Sequence, residues 1–75
     1  MASWEVSLFA YLRERHGASV TVEAESTVAS VLQALADAGI QTMSCRVAVN
    51  DEFALPGDAL TSGSKVALIP PVSGG

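Results

Sequence analysis

A chain of 75 residues, 49% of them hydrophobic and with a mean hydropathy of +0.38, is one small domain with enough apolar surface for a core, which excludes intrinsic disorder. Four basic residues against eight acidic ones give a net charge of −4. Arg13, Arg15, Arg46 and Lys65 form no basic block, so no nucleic-acid partner is expected.

The remaining exclusions are equally physical. Cys45 is the single cysteine, so it can neither form an internal disulfide nor build a metal site alone, and a reducing compartment follows. It precedes an apolar run and reads as a small buried residue. The apolar runs are too short for a signal peptide or a membrane span, which predicts a soluble cytoplasmic protein with no membrane partner.

Trp4, Val6 and Leu8 alternate with Glu5 and Ser7, the period of a half-buried strand. Tyr11 to His16 reads as a short helical turn ended by Gly17. Val20, Val22 and Ala24 alternate with Thr21 and Glu23 in a second strand, close enough to the first to pair with it. Thr27 is the expected N-cap of a helix over residues 28–38, with Ser26 as the rival. Val28, Val31, Leu32 and Leu35 follow at helical spacing, and Gly39 stands where a helix ends. Arg46 to Val49 predicts a third strand with Val47 and Val49 inward. Asn50-Asp51 supplies a turn, and Phe53-Ala54 a short fourth strand. Leu60 plugs the core, and Ser62-Gly63 turns the chain into a last strand, Lys65 to Ile69, with Val66 and Leu68 inward.

The predicted order is β-β-α-β-β-β. One main helix lies across one face of a mixed sheet, an α+β arrangement of two layers. A single amphipathic helix on such a sheet is the ubiquitin-like β-grasp, with the first and last strands parallel at its centre. The expected division is a β-grasp domain over residues 1–69 and an extended tail over residues 70–75.

No internal constellation has the makings of a catalytic site. His16 sits at a turn without a second ligand or an orienting group nearby. Glu23, Glu25, Asp51 and Glu52 read as solvated charge. Ser62-Gly63-Ser64-Lys65 lacks the glycine spacing of a phosphate loop and opens a strand, not a helix.

The chemistry points to Pro70-Pro71-Val72-Ser73-Gly74-Gly75. Two prolines remove backbone donors and make a stiff lead. Gly74 and Gly75 can pass a slot that any Cβ would block. Six extended residues span about 20 Å, enough to carry the Gly75 carboxylate into a partner's active site. Phe9 and Ile69 are out of phase with the core residues of their strands. They should therefore emerge together on the open sheet face, beside the root of the tail, as a docking patch.

These residues resemble a known family over essentially the whole length. The match rests on Leu8-Phe9-Ala10, Arg13-Glu14, Gly17, Ala48-Val49-Asn50, Leu60, Gly63 and above all Ile69-Pro70-Pro71-Val72-Ser73-Gly74-Gly75. The chain resembles the small, sulfur-carrying subunit of molybdopterin synthase, within the MoaD/ThiS ubiquitin-like carriers. One departure is Gly63-Ser64, where the family usually has Gly-Asp.

The resemblance implies that an E1-like enzyme uses ATP and magnesium to adenylate Gly75, and that a persulfide donor protein converts it to a thiocarboxylate. The tail then enters the large synthase subunit, in a 2+2 heterotetramer, and sulfurates cyclic pyranopterin monophosphate. It implies no stably bound cofactor and no metal. Besides Gly75 it implies partner contacts at Phe9, Ile69, Pro70, Pro71, Val72, Ser73 and Gly74. Two alternatives stand beside it: a thiamine-pathway sulfur carrier, against which the Pro-Pro pair argues, and a ubiquitin-like modifier joined to lysines through Gly75.

Overall fold

Strict alternation builds the first strand. In β1 (Ala2–Leu8), Trp4, Val6 and Leu8 are buried while Ser3, Glu5 and Ser7 are exposed. The computed structural model describes residues 1–71. The Trp4 indole N–H, enclosed in the core, donates to the Ala24 carbonyl at 3.1 Å, so the largest aromatic leaves no orphaned donor.

The expected helical turn is a seven-residue helix, α1 (Ala10–His16), which buries Leu12 and ends at Gly17 with φ +98°. The connection between the first two strands is therefore an element in its own right. β2 (Ser19–Ala24) returns antiparallel to β1 with Trp4 opposite Val22.

α2 (Val28–Asp37) is the main helix. Thr27 caps it as the sequence predicts: its hydroxyl oxygen accepts the Ser30 N–H at 3.2 Å. The Val28 and Ala29 N–H groups donate to the carbonyls of Asp58 (3.0 Å) and Pro56 (2.9 Å). The loop before Leu60 thus supplies what the helix lacks at its start. At the other end, Gly39 takes φ +88°, its N–H bonds the Ala36 carbonyl and the Ile40 N–H bonds the Leu35 carbonyl. This is a Schellman motif, and Ile40 is tucked into the core behind it.

β3 (Arg46–Val49) and β4 (Glu52–Ala54) form a hairpin closed by Asn50-Asp51. Both turn residues have positive φ, +52° and +69°, as a two-residue turn matching the sheet twist requires. β5 (Val66–Ile69) completes the sheet in the order β2-β1-β5-β3-β4. β1 and β5 run parallel, and every other pair is antiparallel. This is the expected β-grasp. α2 covers one face through Val28, Val31 and Leu35, which meet Val6, Leu8, Val66 and Leu68 in one apolar cluster. Among the described residues no polar side chain is buried.

Asn50 ties the hairpin to the central strand. Its N–H donates to the Lys65 carbonyl (2.8 Å), and its side-chain oxygen accepts the Lys65 N–H (2.9 Å). Asn50→Ala should destabilise the fold by about 1–3 kcal/mol, through the lost hydrogen bond and a Cβ in left-handed backbone without a compensating amide. Asn50→Gly keeps the backbone freedom and should lose only about 1 kcal/mol. Urea denaturation of both variants checks this, and equal losses would remove φ from the explanation.

Candidate functional site

The open sheet face is set by register. Val6 pairs with Val66 and Leu8 with Leu68 on the core side, so Ser7 lies beside Ala67 on the other side. Ala67 pairs with Ala48, and Ala48 with Phe53. One step further along, Phe9 follows Leu8, and Ile69 pairs with Arg46.

The result is a shallow apolar cavity of about 210 Å³. Ala48 and Ala67 form its floor, Phe9, Phe53 and Ile69 its walls, and Asp51 its rim. Phe9 is 45% exposed and Phe53 65% exposed. Side chains that large, left half outside a small domain on a floor of alanines, form a surface suited to being covered. The Arg46 guanidinium lies 5.2 Å from the centre of the Phe53 ring and adds a cation–π contact.

Phe9 and Ile69 thus line one cavity. Phe53 is the residue the sequence reading left out of the site. The signal was its pairing with Ala48, which a three-residue strand does not announce.

The tail leaves from this corner. Pairing of β5 with β3 ends at Ile69 opposite Arg46. Pro70, expected in the tail, is buried against the body, while Pro71 is exposed. The buried part of the chain thus extends one residue past β5, to Pro70, and the exposed lead begins at Pro71. Val72, Ser73, Gly74 and Gly75 lie outside the described residues.

The other singled-out residues stand apart from the patch. His16 is exposed at the end of α1. Among the described residues no cluster of three His, Cys, Asp or Glu could hold a metal ion. No described helix is long and apolar enough to cross a membrane. Cys45 corrects its sequence reading: it is half-buried, not enclosed. It sits in the turn before β3, where its thiol donates to the Gln41 carbonyl at 3.6 Å.

The ThiS family pattern matches residues 6–75, and the chain belongs to that family of ubiquitin-like sulfur carriers. The structure is similar to SAMP1 from Haloferax volcanii, with 36% identity, 99% of this chain and 100% of that one covered, and a TM-score of 0.73. A second structure, of H. volcanii small archaeal modifier protein 1, is 33% identical with 96% and 100% covered and a TM-score of 0.72. A complex of subunits 1 and 2 of molybdopterin-converting factor from Helicobacter pylori shares the fold, with 24% identity, 99% and 100% covered and a TM-score of 0.70. No curated protein sequence matches the chain.

Cys45 is the single thiol of the chain and so the one side chain that could compete with a terminal carboxylate for sulfur chemistry. Burial pushes its thiol up from the ordinary 9.0, so at neutral pH the reactive thiolate is scarcer than in a free cysteine. Alkylation by iodoacetamide should be slow at pH 7 and should level off only above pH 9, later than for a free cysteine peptide. A plateau below pH 8 would mean an activated thiol and would reopen Cys45 as a site.

Proposed function

We propose that this ThiS-family chain carries sulfur on Gly75 for the formation of molybdopterin, docking on the large catalytic subunit of the synthase through Phe9, Phe53 and Ile69. The observation behind this reading is the placement of the apolar cavity at the root of a Pro-Pro-Val-Ser-Gly-Gly segment. Docking there fixes the origin of the tail, and the tail's reach then sets where Gly75 arrives.

The chemistry follows from what a carboxylate lacks. It is a poor electrophile until an oxygen attacks the α-phosphate of ATP, with magnesium and the E1-like partner assisting and pyrophosphate leaving. The persulfide sulfur of a donor protein then attacks the acyl carbon and AMP departs. A thiol cleaves the resulting acyl disulfide and leaves the thiocarboxylate. In the large subunit this sulfur passes to cyclic pyranopterin monophosphate. Two rounds build the dithiolene, which suits a 2+2 assembly. Catalytic groups belong to the partners under this reading, and this chain contributes position, reach and the terminal atom. The family-typical Gly74-Gly75 ending supports it, as does the likeness to the converting-factor complex.

A second reading is favoured by the two Haloferax matches, one of which is named a modifier protein. Gly75 would then end as an amide on a lysine of another protein. Enrichment of lysine-linked conjugates from cells separates the two.

Intact-mass measurement after incubation with the activating enzyme, ATP and a sulfur donor should show one oxygen replaced by sulfur at Gly75. Deleting Gly75, or adding a residue after it, should abolish transfer and leave the melting temperature unchanged. Transfer by an extended chain that is not processed back to Gly75 would sink the assignment.

Docking has its own test. Burying one large apolar side chain contributes about 1.5–3 kcal/mol, and a carboxylate put in its place adds a desolvation cost. Phe9→Glu, Phe53→Glu and Ile69→Glu should each weaken binding to the large subunit at least about tenfold. Calorimetry and thermal melting together decide it: unchanged affinity in all three would place the interface elsewhere.

A further inference from the structure

The two sides of β1 are unequal. It pairs with β2 from Ala2 to Ser7, but with β5 only from Val6 to Leu8. Among the described residues, the stretch Ala2–Glu5 therefore has one edge with no strand beside it, near the middle of the sheet. Facing that edge is the loop before β5, turned by a bond from the Ser64 N–H to the Thr61 carbonyl (3.0 Å) and by Gly63 at φ +85°.

Between them lies a cleft of about 440 Å³ whose walls include Ser3, Glu5, Ser62, Gly63, Ser64 and Lys65. Apart from Glu5 and Lys65, these are small side chains that let another backbone approach closely. Lys65 is the only lysine among the 75 residues. Its backbone is pinned on both sides by Asn50. Its side chain borders both this cleft and the neighbouring apolar cavity that Phe9 lines.

We propose that this cleft receives the tail of a second copy of the chain as an added strand, and that Lys65 is the amine that captures its activated Gly75. The inference rests on the reading that Gly75 is activated. The lengths are compatible: four residues of β1, Ala2–Glu5, lack a strand neighbour among the described residues, and a tail of residues 70–75 is long enough to lie along them. An extended chain there makes ladder hydrogen bonds with a bare edge, the mode of β-strand addition.

The chain's own tail cannot fill the cleft. It leaves at the far end of the parallel β1–β5 pair and would have to run back past Lys65 and along Ala2–Glu5, about 25 Å. Pro71–Gly75 spans at most about 17 Å. The occupant is therefore a second molecule.

The step balances simply. The Lys65 nitrogen attacks the acyl carbon of the Gly75 adenylate. A C–N bond forms, the C–O bond to AMP breaks, AMP leaves with the electron pair, and the amine proton goes to water.

Two experiments test this with the full chain. Incubated with the activating enzyme and ATP–magnesium but no sulfur donor, the chain should yield a covalent dimer of two masses less one water, with Gly75 linked to Lys65 in tryptic fragments. Lys65→Arg keeps the charge and should abolish the dimer while thiocarboxylate formation with a donor present stays unchanged. A dimer that persists in Lys65→Arg, linked through Met1, overturns the proposal, as does adenylated chain that forms no dimer. Failure of both adenylate and thiocarboxylate in the unmodified chain removes the Gly75 reading and this inference with it. The second experiment needs no activation: a Pro-Val-Ser-Gly-Gly peptide added to labelled protein should shift the amide resonances of Ser3–Glu5 and Ser62–Lys65. Shifts confined to Phe9 and Ile69 would place the tail on the other patch and overturn the cleft assignment.

Discussion

The parallel pairing of β1 with β5 is the constraint from which the rest follows. Three residue pairs, Val6–Val66, Ser7–Ala67 and Leu8–Leu68, join the two ends of the chain at the centre of the sheet. Four of those side chains are almost completely buried under α2. A one-residue slip would turn Leu68 and Val66 to solvent and Ala67 into the core, a loss of several kcal/mol of apolar burial. Register is therefore strongly fixed, and with it the position of Phe9 beside Ile69. The apolar patch is a by-product of core packing, read from the opposite phase of the same two strands.

That pairing also gives the two ends of the molecule different surfaces. At the carboxy end of the pair the ladder stops at Ile69, Pro70 is held in the body, and the chain departs beside an apolar cavity. At the amino end β1 overshoots β5 and, among the described residues, leaves backbone without a strand neighbour. Asn50 bridges the β3–β4 turn to Lys65, so the hairpin that carries Phe53 cannot move independently of the central strand. The patch walls come from three separate elements, yet each is locked to β5 by hydrogen bonds or by apolar packing.

Much of this was legible because the periods are clean. Trp4-Val6-Leu8 and Val66-Leu68 announce buried strand faces, and Val28-Val31-Leu35 with Thr27 and Gly39 announces one helix with both ends. What escaped had no period to show. α1 holds one buried residue, Leu12, so its pattern resembles a solvated turn. β4 was expected as a strand, but it is three residues long and Phe53 is followed by Ala54 and Leu55, so neither face stands out until Ala48 is seen opposite. Pro70 obeys the rule that proline ends a ladder, but the rule concerns its missing N–H. It does not prevent the ring from packing. Cys45 was read from the apolar run after it, whereas its place is in the preceding turn, whose geometry is set by the Cys45 N–H bonding the Thr42 carbonyl.

A chain that offers chemistry only at its end meets an opposing pair of demands. The terminal residues must lack side chains to enter a narrow site, so they contribute little binding energy of their own. The affinity has to come from a surface outside that site, and it has to be rigid, because each degree of freedom at the root is multiplied along the lead. Under the proposed function, few residues answer both demands. Phe9, Phe53 and Ile69 supply apolar area on a floor of two alanines. Pro70, buried directly after β5, removes backbone freedom at the root of the lead. Substitutions that loosen this corner without exposing the core would therefore separate affinity from delivery, since binding needs the patch alone whereas transfer also needs the lead to point the right way.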